Sequence, residues 1–169
     1  MNPDGTLTFT PNPNFNGNGV TFQYTVDDGR GGTDTANVTM NIAPVNDTPV
    51  DENETNTVTE DTTLTVPAGT GLLANASDPD RTDDVDTASV AYTVTSGTWA
   101  PAVAYSVNNE TGALTFDPNQ FNALGGSESI ELTFTYNVVD GNGGSTPTSA
   151  VVTITGTNDA PVVTGAVLA

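Results

Sequence analysis

The run Phe22-x-Tyr24-x-Val26-x-Asp28-Gly-x-Gly-Gly32 occurs twice in this chain, the second time as Phe134-x-Tyr136-x-Val138-x-Asp140-Gly-x-Gly-Gly144. Apolar residues at every second position mark a strand with one buried face, and the Asp-Gly-x-Gly-Gly that ends each run supplies the backbone freedom of a hairpin turn. Other blocks return in the same order. Asn2-Pro-Asp-Gly-Thr-Leu-Thr-Phe9 reappears as Asn109-Glu-Thr-Gly-Ala-Leu-Thr-Phe116, Phe15-Asn16 as Phe121-Asn122, and Asn46-Asp-Thr-Pro-Val50 as Asn158-Asp-Ala-Pro-Val162. Matched blocks in one order make a tandem repeat, so the fold has to be solved once per repeat rather than once per chain. On this spacing, residues 1–46 are expected to be the C-terminal half of one repeat. Residues 47–158 would form a complete repeat, and 159–169 a linker with the start of a third.

Each repeat is expected to be all-β. Ile130, Leu132, Phe134, Tyr136 and Val138 alternate with polar residues, as do Val20, Phe22, Tyr24 and Val26. Further strands are expected at 57–66, 89–95, 103–107, 112–116 and 149–155, joined by Gly, Pro, Asn and Asp turns. No helical period appears. About seven short strands in about 110 residues suit an immunoglobulin/cadherin-like Greek-key β-sandwich.

The ionisable residues narrow the function. Two Lys+Arg against 21 Asp+Glu give a net charge of −19, which repels phosphate backbones and anionic lipid surfaces. Nucleic-acid partners and membrane insertion are therefore not expected, and the first residues have neither the basic region nor the apolar core of a signal peptide. With no Cys, no Lys and no His, the chain has no disulfide, no isopeptide staple and no imidazole base. Ser nucleophiles have no His partner, so no enzyme activity is expected. The remaining metal chemistry is side-chain and carbonyl oxygen, which suits a hard cation such as Ca²⁺.

Four stretches carry a family resemblance: Thr59-Glu-Asp-Thr62, Ala76-Ser-Asp-Pro-Asp80, the Pro-Asn-Pro-Asn-Phe-Asn run at 11–16, and Val45-Asn-Asp-Thr-Pro-Val50. Together they resemble the cadherin-like repeats of large bacterial surface proteins, including the modules called VCBS or tandem-95 repeats of RTX-type adhesins. That resemblance implies an extender module of a secreted adhesin, exported by type I secretion and held at the outer membrane, supporting adhesion or biofilm formation. The implied partners are neighbouring repeats of the same chain; the distal ligand is unspecified. It further implies Ca²⁺ at the junctions between repeats. Carried over by position, Asn46 and Asp47 match the linker, Asp78 and Asp80 the Asp-x-Asp, and Asp140 the acid before the Gly-rich hairpin. At the second junction, Glu60 matches the first-strand acid and Asn158 and Asp159 the linker. Asp117 stands at the third motif, where Pro118 and Asn119 depart from the family's Arg and Glu, so this site is expected to be incomplete and weaker.

The physics of a crowded acidic joint agrees with a cation. Carboxylates packed together repel by roughly 1 kcal/mol per pair in water and several-fold more near a protein surface. The competing expectation is that these Asp and Asn residues only cap turns. Asp83, Asp84 and Asp86 are expected in a solvated loop. Trp99 and Tyr105 leave open an alternative reading as a glycan- or protein-binding module, although packing is the commoner use of such a Trp.

Overall fold

The computed structural model describes residues 4–61, 64–80 and 84–161. The chain divides into two compact units, Met1–Asp47 and Thr48–Ala169.

In the first unit, β1 (Gly17–Asp27) and β2 (Thr33–Ile42) form an antiparallel hairpin with Phe22 opposite Val38 and Tyr24 opposite Ala36. The other face is polar: Thr21 meets Thr39 and Thr25 meets Thr35 through their hydroxyls, each pair 3.2 Å apart. Phe9 stacks on Phe22 with ring centroids 6.3 Å apart. Within this unit Leu7, Phe9, Phe15 and Val26 remain more than 40% exposed, because two strands offer no second layer to cover them.

The second unit is a two-layer sandwich. One sheet has the order β3 (Glu54–Thr59), β9 (Ser145–Thr155), β8 (Ser129–Val139), β5 (Asp86–Ser96). The other has the order β4 (Leu64–Val66), β7 (Leu114–Phe116), β6 (Tyr105–Val107). β3 runs parallel to β9, and the remaining ladders are antiparallel. Among the described residues there are two short 3-10 turns, Ala68–Thr70 and Pro118–Phe121. Among the described residues no helix is long and apolar enough to cross a membrane.

The alternation read from sequence is what closes this core. Ile130, Leu132, Phe134, Tyr136 and Val138 on β8 are each 3% exposed or less, as are Ala150, Val152 and Ile154 on β9. Phe116 from the second sheet meets Phe134 with centroids 6.0 Å apart, and Tyr105 meets it edge-on at 5.2 Å. The expected turns at Asp28 and Asp140 are both hairpins.

One expected strand divides. The 57–66 segment becomes β3 and β4 in different sheets, and Asp61 between them has φ of 71°. Only by leaving the first sheet there can the chain enter the second and cover both sides of the core. Residues 62–63 of that segment, together with Asp83 and residues 162–169, lie outside the described residues. Asp84 is exposed in a loop, whereas Asp86 opens β5 with its side chain in water.

Gly112 has φ of 67°, and a Cβ there would run into the backbone nitrogen of Leu73; Gly141 has φ of 75° with open space around it. Gly141→Ala therefore costs about 1–2 kcal/mol for the left-handed conformation alone. Gly112→Ala costs distinctly more, read as a lower urea midpoint in Trp99 fluorescence. Equal costs would mean that the loop at Leu73 does not press on Gly112.

Candidate metal site

The register of β3, β8 and β9 sorts the candidate ligands of the second unit between its two ends. Asp140 follows the last residue of β8, and beside it the Thr146 hydroxyl donates to the Pro49 carbonyl. Val50 and Ser77 exchange backbone hydrogen bonds of 2.8 and 2.9 Å, which brings Asp78 and Asp80 to this same end. At the opposite end Glu60 follows β3, Asp117 follows β7, and Asn158 and Asp159 follow β9. Asn46 and Asp47 belong to the first unit, where the Asn46 side-chain amide donates to the Asp47 carbonyl at 3.1 Å.

The chemistry of these acids differs from one to the next. Asp140 is 6% exposed, and its Oδ1 accepts the amides of Asn142, Gly143 and Gly144 at 2.7, 2.9 and 2.9 Å. Its carboxylate thus does for the second hairpin what Asp28 does for the first, where the amides of Arg30 and Gly32 donate to Oδ1. Those two bonds hold the Asp28 carboxyl below its ordinary value. Asp78 Oδ1 accepts the Asp80 amide at 2.7 Å, while its Oδ2 is buried with no donor. Glu60 is 1% exposed; its Oε1 accepts the Thr157 amide at 2.7 Å and its Oε2 is buried with no donor. Asp117, Asn158 and Asp159 are exposed, and Asp117 caps the second 3-10 turn by accepting the Asn119 amide at 3.0 Å.

An ionised carboxylate oxygen in a buried place without a donor is costly, and a cation is one way to satisfy it. Asp78 Oδ2 and Glu60 Oε2 fit that requirement, and every candidate donor is a hard oxygen. Among the described residues, however, no three acidic side chains converge closely enough on one point to hold an ion.

Two buried acids escaped the sequence reading. Glu54, 5% exposed, and the half-buried Asp51 both reach the hydroxyl of Tyr136. For Glu54 the signal was parity: Glu54, Asn56 and Val58 fall on the inward-facing positions of β3, whereas Asp51 lies before the strand. The aromatic residues of the alternative reading turn inward as well. Trp99 packs on Phe121 at 5.4 Å, and the Tyr105 hydroxyl donates to the Val90 carbonyl at 3.1 Å.

A family model for the bacterial cadherin-like domain matches residues 46–158. The chain belongs to that family. A second model, for a bacterial Ig domain, matches residues 1–41. Among solved structures, this cadherin-like chain is similar to the protocadherin gammaB7 EC3–6 cis-dimer, at 23% identity and a TM-score of 0.49, over 81% of this chain and 32% of that one. It is also similar to protocadherin gamma B2 extracellular cadherin domains 1–5, at 22% identity and a TM-score of 0.45, over 82% and 27%. A nucleoside hydrolase-related hypothetical protein from Saccharophagus degradans follows at 14% identity and a TM-score of 0.39, over 67% and 26%. The chain thus spans about a third or less of the length of these structures. No curated protein matches it.

The Asp140 geometry makes a prediction that needs no metal. In a chelator, Asp140→Ala should speed amide exchange at Asn142, Gly143 and Gly144 by about tenfold or more, since hydrogen bonds to a charged group contribute about 1.5–3 kcal/mol. Unchanged protection at these amides would show that the turn holds itself.

Proposed function

We propose that this chain is a structural extender of a secreted bacterial adhesin, in which Ca²⁺ at the ends of each cadherin-like repeat stiffens the joint with the next. The observation that carries this reading is the pair of donorless buried oxygens, Asp78 Oδ2 at one end of the sandwich and Glu60 Oε2 at the other. The family's place in bacterial surface proteins supports it.

In this proposal Asn46, Asp47, Asp78, Asp80 and Asp140 serve one junction, and Glu60, Asp117, Asn158 and Asp159 the next. A bound Ca²⁺ would supply two positive charges and a demand for six to eight oxygens. The protein's own residues do the positioning. Asp140 fixes the hairpin beside Pro49, the Val50–Ser77 backbone pair sets the Asp78–Asp80 loop against the incoming segment, and the Thr157 amide orients Glu60. Residues 1–46 are read as the C-terminal half of a preceding repeat, because their hairpin repeats the sequence and the turn bonding of β8 and β9. The secreted, outer-membrane-attached location, the VCBS and RTX kinship and a part in biofilm formation belong to the same proposal.

The test is thermal melting of the chain followed by Trp99 fluorescence. Ca²⁺ at about a hundred times its dissociation constant should stabilise the unit by about 2.7 kcal/mol, and Mg²⁺ far less, because Mg²⁺ prefers a smaller octahedral shell and keeps its waters. Asp80→Ala should melt with the wild type in chelator and lose most of the Ca²⁺ response, since the residue lies in an end loop rather than the core. Equal stabilisation by both ions would contradict the assignment.

A further inference from the structure

The phenolic oxygen of Tyr136 lies 2.6 Å from Glu54 Oε2, 2.7 Å from the carbonyl oxygen of Leu72 and 3.3 Å from Asp51 Oδ2. A phenol owns one hydrogen, a carbonyl can only accept, and an ionised carboxylate can only accept. With both acids ionised, a single hydrogen would face three acceptors, two of them at full hydrogen-bond distance. The two short contacts are satisfied together when Tyr136 donates to Leu72 and accepts from Glu54, and that requires a proton on the Glu54 carboxyl. The remaining oxygens agree: Asp51 Oδ1 and Glu54 Oε1 are both buried with no donor, as expected of an acid pair short of protons.

We propose that Asp51, Glu54 and Tyr136 form a proton-binding latch, in which one proton on Glu54 closes the chain from Glu54 through Tyr136 to the Leu72 carbonyl. The latch ties parts that are distant in sequence: the segment entering the sandwich with the start of β3, the central strand β8, and the loop after the first 3-10 turn. Loss of the proton leaves two negative charges around one hydroxyl and loosens the entry segment. Among the described residues no group of three acidic side chains could hold a metal ion, and one proton satisfies the pair.

The surroundings point the same way. The titratable groups facing Glu54 are Asp51 from the entry segment and Tyr136 from β8; β9 places Ala150 opposite it. Burial first, and then the charge of Asp51, raise the Glu54 carboxyl from 4.5 to about 7 against the opposing hydrogen bond of Tyr136. Burial also raises Asp51, and burial followed by Glu54 pushes the Tyr136 phenol well above its usual range, so the phenol keeps its proton. Asp51 lines an open depression with Val50, Glu52, Asn75 and Ser77, which gives the pair access to water. The sign follows from linkage. A folded chain that holds this proton up to about 7, against 4.5 when unfolded, has the full benefit below 4.5 and loses it as pH rises through about 7.

Trp99, the one tryptophan of the chain, packs on Phe121 in this sandwich and reports its unfolding. In chelator, the wild-type melting temperature should fall by several degrees between about pH 5 and pH 8, the window set by these shifts. Glu54→Gln, which stays neutral and still donates, should lose most of that fall and melt above the wild type at the alkaline end. The side-chain carboxyl resonance of Glu54 should titrate with a midpoint near 7. This second measurement decides the matter if the variant does not fold. A midpoint near the ordinary 4.5, or a variant that keeps the whole pH dependence, would overturn the latch.

Discussion

Five side chains along β8, from Ile130 to Val138, point into the sandwich and exclude water almost completely. The strand is hydrogen-bonded on one side by β5 and on the other by β9, so neither edge can shift without breaking a ladder. Because side chains alternate, a slip of one residue would turn all five to solvent. At about 1.5–3 kcal/mol for each large apolar side chain fully buried, that slip is prohibitive. Phe134 at its centre touches Tyr92, Tyr105 and Phe116, which fixes how the second sheet lies on the first. Within this unit, the positions of the end loops and of the acids they carry follow from this strand.

With two basic residues against 21 acids, a buried carboxylate in this protein has almost no Lys or Arg to pair with. The structure meets the problem in more than one way. Asp140 collects backbone amides and becomes the organiser of a hairpin. Glu54 shares a hydroxyl with Asp51 in a place where a proton completes the bonding. Asp78 and Glu60 each keep one buried oxygen with no donor, and a cation is what we propose for them. The same shortage of cationic side chains therefore connects the turn, the latch and the candidate ion sites.

The parts of the fold legible from sequence are those in which one residue period settles one environment. The alternation at 130–138 gave β8, and the Asp-Gly-x-Gly-Gly runs gave both hairpins. The split of the 57–66 segment was not legible, since Thr-Leu-Thr-Val after the break continues the same period as Thr-Val-Thr before it. The left-handed turn at Asp61 lies where the two strands part, set by the need to cover a second face. The candidate ligands could be listed by motif, yet their chemistry could not. That Asp140 spends its oxygens on amides, or that Glu54 lies inside, depends on burial rather than residue type. The acidic run Asp51-Glu-Asn-Glu54 ends on a residue only 5% exposed.

A calorimetric titration of the whole chain with Ca²⁺ bears most directly on the claim that the donorless oxygens at the two ends are cation ligands. Saturable binding is expected, selective over Mg²⁺, with at least one ion per chain. Asp78→Asn combined with Glu60→Gln should remove it while leaving the Trp99-reported sandwich folded. Absence of saturable binding, or binding unchanged in the double variant, would contradict the account and leave both acids as parts of the fold alone.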